Sequence, residues 1–236
     1  MQSTAVAMLV RWHPNQLRWG LMRLPLASLR PPQRPQASSG LLFQKFLGSG
    51  QNGGFQVRPS LDHQAWFGVF SSEQTAHHFI EHSPMVADYQ RHAQDWLILT
   101  LQAYQTRGSW SGFSLQADHA PAVAGRVVSL TRASIRPIKA IDFWRQSPDA
   151  EQDLRLAEGC ELAMGLGEMP LFRQATLSLW REEADLIRYA QTGAHRRAIA
   201  AAYGRHFFSE SMFTRFQVRQ AQGQWQGRSY DQAVVG

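Results

Sequence analysis

GSWSG (residues 108–112) and GQWQG (residues 223–227) carry one pattern, a tryptophan between two polar residues with a glycine at either end. With 8 tryptophans in 236 residues, such a recurrence asks whether one structural unit occurs twice in the chain. Working outward from each copy, the order of elements repeats. Ahead of GSWSG, AWFGVF (65–70) reads as a strand, SSEQTAHHFIEHSPMVADYQRHA (71–93) as a helix and DWLILTLQAY (95–104) as a strand. Ahead of GQWQG, the same order is given by ATLSLW (175–180), REEADLIRYAQTGAHRRAIAAAYGRH (181–206) and SMFTRFQV (211–218). Setting Phe70 on Trp180 also sets Phe79 on Tyr189, Ser83 on Gly193, Met85 on His195 and Tyr89 on Ile199. Both helices then meet an interruption at the same place, Pro84 in one and Gly193 in the other.

Each copy opens with a strand of its own, AVAMLVRW (5–12) and RVVSLTRASIRP (126–137). A further helix is expected near Leu17–Leu29 in the first and near Ala140–Leu156 in the second, and CELAMGLG (160–167) adds a strand. The proline-rich run SLRPPQRPQASSG (28–40) reads as a loop, and the glycine-rich GSGQNGGF (48–55) follows it without a clean strand-to-helix context. Strand, helix, strand, helix, strand is close to the split βαβ plan of ferredoxin-like units. One such sheet leaves a face uncovered, so two are expected to pack together. The predicted fold class is α+β, with one half over 1–120 (loop 28–60) and the other over 121–236, forming one compact domain that encloses a pocket.

Composition narrows the classes. The chain is 44% hydrophobic and reads as globular. A single cysteine, Cys160, excludes an internal disulfide and a zinc site of paired cysteines, and fits a reducing compartment. The apolar run Ala5–Val10 is short for a secretion signal, and no window approaches the roughly 20 apolar residues of a membrane span. A cytoplasmic protein that touches a membrane without crossing it is expected. The net charge of +6 is carried almost wholly by arginine, with Lys45 and Lys139 the only lysines. Those arginines are scattered from Arg11 to Arg228, a pattern of solvated surface rather than of a nucleic-acid patch, so no nucleic-acid partner is expected.

Several residues invite chemical readings. On a helical wheel His195 shares a mostly apolar face with Ile187, Gln191, Ile199 and Ala202, so it is either a core histidine satisfied by a carbonyl or an axial ligand reaching into a pocket. In RVVSLTRASIRP, alternation puts Arg132 and Arg136 on one strand face, suited either to the carboxylates of a cofactor or to a salt-bridged outer surface. Glu168 in GLGEMP (165–170) is either a proton donor or a solvated turn residue, and Cys160 either a thiolate ligand or a buried inert thiol.

The strings QKFLGSGQNGGF (44–55), GSWSG, SLTRASIRP (129–137) with FWR (143–145), GLGEMPLFRQATLSLW (165–180), AHRRAI (194–199), FFSESMFTRF (207–216) and GQWQG, in this order and at these separations, resemble the spheroidene monooxygenase family of carotenoid biosynthesis. The resemblance runs from about Val6 to Gly227 and is most specific from Gly165 to Phe216. It implies a haem-dependent oxygenase that introduces a keto group into an acyclic carotenoid, using dioxygen and electrons from reduced ferredoxin. It also implies a pseudo-dimeric α/β barrel, similar to the paired ferredoxin-like barrels of antibiotic-biosynthesis-type monooxygenases. On the same resemblance His195 matches a proximal iron ligand, and Arg132, Arg136 and Lys45 become propionate partners. Phe79, Trp180 and Tyr189 would line the pocket that receives the polyene. A haem-degrading or stress-related oxygenase on the same barrel, and a non-catalytic haem or lipid carrier, are the competing functions.

Overall fold

The computed structural model describes residues 3–17, 40–56, 58–118, 124–169, 171–191 and 207–233. Eight long strands alternate with helices: β1 (Thr4–Trp12), β2 (Leu41–Gly50), β3 (Pro59–Phe70), helices α1 (Glu73–His82) and α2 (Pro84–His92), β4 (Ala93–Gly108), β5 (Val127–Ile135), helix α3 (Ala140–Leu156), β6 (Cys160–Met169), β7 (Arg173–Trp180), helix α4 (Glu183–Gln191) and β8 (Phe208–Trp225). Two short strands, β9 (Arg228–Ser229) and β10 (Gln232–Ala233), trail β8. Among the described residues no helix is long and apolar enough to cross a membrane.

All strand pairings are antiparallel, and they run β8, β4, β1, β3, β2, β6, β7, β5 and back to β8, so the hydrogen-bonded sheet closes on itself as a ring. Within residues 4–108 the order is β4, β1, β3, β2; within 127–225 it is β8, β5, β7, β6, the same order with each strand replaced by its counterpart. The ring is uneven. β4 and β8 pair from Trp96 to Gly108, whereas β2 and β6 meet only at Gly48↔Gly167 and Ser49↔Leu166.

Strand side chains alternate between two environments. Inward residues of all eight strands, among them Leu9, Phe67, Leu99, Leu130, Met164, Leu177 and Phe216, form one buried cluster. Outward residues form two others: Val6, Met8, Trp66 and Phe70 under α1 and α2, and Val127 and Trp180 under α4. Being covered on both faces, β1 reads as an unbroken apolar run rather than an alternating one. The interruption expected at Pro84 is present, since Ser83 is extended (φ −73°, ψ 122°) and Pro84 opens α2. α1 itself begins with a reciprocal cap between Ser72 and Thr75. The aligned pairs make like contacts, with ring centroids of Phe70 and Phe79 5.1 Å apart and those of Trp180 and Tyr189 5.2 Å apart.

The two tryptophan motifs adopt the same backbone. Gly108, Ser111 and Gly112 have φ of 85°, 53° and 76°, and Gly223, Gln226 and Gly227 have φ of 100°, 51° and 79°. Two successive positive φ values make the tight two-residue hairpin whose twist suits paired strands. Gly108 and Gly223 are required sterically as well: a Cβ would lie 2.0 Å from the Ser211 carbonyl oxygen and 2.4 Å from that of Trp96, respectively. Trp110 and Trp225 are thereby folded into the inner cluster, one from the hairpin after β4 and one from that after β8.

Two expectations change. Residues 41–50, read as part of a loop, form strand β2; four glycines in 48–54 hid the alternation of Phe43, Lys45 and Leu47. The space between the halves, expected to be a pocket, is packed with the side chains of the inner cluster. The helix expected at Leu17–Leu29 falls almost wholly outside the described residues. Trp110→Ala should lower the unfolding free energy by about 3–5 kcal/mol in denaturant titration. Gly112→Ala, where a Cβ meets nothing within 4 Å, should cost only about 1 kcal/mol, from backbone conformation alone.

Candidate functional site

At the ring end where β4 finishes and β8 begins, four charged side chains from four strands meet. Glu168 of β6 accepts from Lys45 Nζ of β2 at 2.8 Å, from Arg132 Nε and Nη2 of β5 at 3.3 and 3.2 Å, and from the Trp110 indole at 2.7 Å. Arg132 Nη1 reaches Glu210 of β8. Glu210 also accepts from the Ser109 hydroxyl at 3.0 Å and the Gly112 amide at 2.9 Å, and Lys45 reaches the Ser111 hydroxyl at 2.9 Å. The hairpin 109–112 is thus strapped over the ring end. Arg132 is 1% exposed, a burial tolerable only with carboxylate partners.

Burial pushes the Glu168 carboxyl up, but Lys45, the Trp110 indole and Arg132 outweigh it and hold the group below its ordinary range. Glu210 also feels burial, and the Gly112 amide, the Ser109 hydroxyl and Arg132 bring it down to about 2. Two carboxylates and two cations offset one another, and all four are committed to each other. This cluster is a lock on the fold, with no carboxyl poised to trade protons near neutrality.

A different setting lies on the outer face of the second half. Tyr104, Val127, Trp180 and Leu186 are buried there, with Leu154, Cys160 and Tyr189 packed against them. Burial is the largest cause raising the Tyr104 and Tyr189 hydroxyls, with nearby Glu183 and Asp153 adding to it respectively, and burial pushes the Cys160 thiol up to about 11. These groups are neutral at pH 7. The glycine-rich segment presses against the same half, since a Cβ on Gly165 would lie 2.4 Å from the Gly54 carbonyl oxygen. From there Phe55 stacks on Trp144 of α3 at 5.4 Å, and Phe143 meets Phe208 at 6.0 Å. Two aromatic groups thus flank this half, Trp180 and Tyr189 by the start of β5 and Phe143, Trp144 and Phe208 by its end.

Of the residues singled out in the sequence, Lys45 and Arg132 are brought together, each on Glu168. Arg136 is not with them. It lies past the end of β5, exposed, with Nε donating to the Phe208 carbonyl at 3.2 Å. Phe79 packs on Trp66 and Phe70 outside the first half, while Trp180 and Tyr189 sit outside the second, so the three belong to two separate clusters. Cys160 is a half-buried thiol and Glu168 an ion-paired carboxylate. His195 lies outside the described residues. Sequence reasoning missed Glu210, although its parity with Met212 and Phe216, both inward, marks it as a lone acid on an apolar face.

No protein-family model matches the chain. It is 43% identical over 225 residues to spheroidene monooxygenase of Rubrivivax gelatinosus, spanning 95% of this chain and 86% of that protein. It is 33% identical over 218 residues to spheroidene monooxygenase of Rhodobacter capsulatus, spanning 91% of this chain and 89% of that one. Among solved structures, aldoxime dehydratase superposes with a TM-score of 0.59 at 13% identity, over 92% of this chain and 82% of that one. At that identity the likeness concerns the fold alone.

The charge cluster yields a pH test. The Glu210 carboxyl is depressed from an ordinary value of 4.5 to about 2, so its stabilisation is complete above pH 4.5 and is lost as pH falls from 4.5 toward 2. Thermal melting of the wild type should drop across that window, and Glu210→Gln should melt lower at pH 7 with a shallower drop. Glu168→Ala, which leaves Lys45 and Arg132 without it, should cost about 3–5 kcal/mol in denaturant unfolding at pH 7.

Proposed function

Since the chain belongs to the spheroidene monooxygenase family and is a monooxygenase, we propose that it converts an acyclic carotenoid such as spheroidene to a ketone, with haem as cofactor, dioxygen as oxidant and reduced ferredoxin as electron donor. The substrate follows the relatives' shared name, and the near-complete span of the 43% identity is the observation that carries it. Oxygen insertion at an unactivated carbon–hydrogen bond exceeds what side chains do, so a redox cofactor is required. Two hydroxylations at one carbon give a hydrate that loses water to the ketone.

The residues of the second half suit a large flat apolar cofactor. Trp180, Tyr189 and Tyr104 offer a neutral aromatic wall that excludes water. Burial pushes the Cys160 thiol up to about 11, which disfavours a free thiolate, and the axial ligand we assign is an imidazole. His195 is our choice: in a duplicated ferredoxin-like plan divided near residue 120 its counterpart is Met85, which packs onto the outer cluster of the first half. Of the three cations, Lys45 and Arg132 already neutralise Glu168 and Glu210, and Arg136 lies past the end of β5 away from Val127 and Trp180, so no propionate partner is assigned on this wall. Bound haem supplies the oxygen activation; the chain's part is to hold it, keep water out and align the polyene.

The test is the absorption spectrum of protein reconstituted with haem, beside His195→Ala, followed by turnover with reduced ferredoxin and spheroidene. A Soret band that shifts or disappears in the variant, and a ketone product from the wild type only, are expected. A wild type that binds no haem would remove the cofactor assignment. Loss of the haem band itself under reductant, without carotenoid, would assign haem as the substrate.

A further inference from the structure

Among the described residues seven large hydrophobic side chains are exposed, and four of them, Ile138 (88%), Ile141 (69%), Met169 and Leu171, occur on adjoining segments. The register explains why. Arg173 pairs with both Ser134 and Met169, which brings the end of β5, the end of β6 and the start of β7 to one place. The Ile135 amide donates to the Phe172 carbonyl at 2.7 Å, and the Trp144 indole to the Leu171 carbonyl at 3.0 Å. The turn carrying Leu171 is thus pinned against the start of α3, which carries Ile141, with Ile138 in the 3-10 turn just before it.

The charges around these residues are mostly of one sign. Arg136, Arg145 and Arg173 are exposed and Lys139 half-exposed, while Asp142, 3.9 Å from Arg145, is the acid of that helix start. Glu168, next to Met169, is turned into the ring. Scattered exposed aliphatics are ordinary on a soluble surface, but a contiguous group is not. Two isoleucines standing out of a helix start, with cations beside them, suit a soft anionic layer into which a side chain can sink and near which cations gain attraction.

We propose that this end of the molecule, Ile138, Ile141, Met169 and Leu171 with Arg136, Lys139, Arg145 and Arg173 around them, docks on an anionic lipid bilayer. The purpose of docking rests on the carotenoid reading above: a polyene resides in hydrocarbon, and the docking face borders the aromatic group of Phe143, Phe207 and Phe208. The binding itself does not depend on that reading.

The test is flotation of the full chain with vesicles of phosphatidylcholine alone and of phosphatidylcholine mixed with phosphatidylglycerol. The wild type should float with the mixed vesicles and be released by high salt. Ile138→Asp/Ile141→Asp should bind about tenfold more weakly or worse, with an unchanged melting temperature as the control for folding. Lys139→Gln/Arg145→Gln should weaken binding and reduce its salt dependence. Failure of the wild type to float, equal binding to phosphatidylcholine alone, or undiminished binding of the isoleucine variant would overturn the proposal. So would self-association of the wild type abolished by that variant, which would assign the patch to a second copy of the chain. Carotenoid conversion separates the two readings: the isoleucine variant should retain turnover in detergent and lose it with vesicle-borne substrate. A wild type inactive in detergent, yet floating as expected, would sink only the functional reading.

Discussion

The interaction on which the architecture turns is the contact of Arg132 with Glu168 and Glu210, extended by Lys45. Backbone pairing joins the halves strongly along β4 and β8 and very little along β2 and β6. The Lys45–Glu168 pair crosses that narrow seam, beside the Ser49 hydroxyl that donates to the Gly165 carbonyl. A guanidinium 1% exposed is costly without its partners, so β2, β5, β6 and β8 must come together for any of them to be comfortable. The 109–112 hairpin is bound into the same network through Trp110 and Gly112.

Closing the ring this way has a functional consequence. The inner volume is filled from both ends by Trp110 and Trp225 and along its length by eight strands. The two outer faces are related but not alike. Phe79 packs against Trp66 and Phe70 in the first half, and Met85 against the same cluster, closing that face with helix side chains. The second carries Trp180, Tyr189 and a neutral thiol at the corresponding place, and it is the one that the family's oxygen chemistry would use.

Much of this was legible in the chain because it rests on local rules. Glycines at 108, 112, 223 and 227 announce positive-φ backbone, and all four have it. Pro84 announces a break, and α1 gives way to α2 there. Strand β2 was not legible, because glycines and a single lysine on its inner face broke the alternation that marks strands. Nor was the fate of Arg132 and Arg136, since alternation gives parity but not where a strand ends: β5 stops at Ile135, and Arg136 leaves the sheet.

By itself, then, the sequence determined the mixture of strands and helices, the recurrence of the tryptophan motif, the helix break at Pro84 and the family. Only the tertiary structure decided that the enclosed space is full, that Lys45 and Arg132 spend their charge on Glu168 and Glu210, and that Phe79 stands apart from Trp180 and Tyr189. The physical reason is range. Lys45 and Glu168 are separated by 123 positions and Arg132 and Glu210 by 78, and no periodicity within either segment says which charge will meet which once the ring has closed.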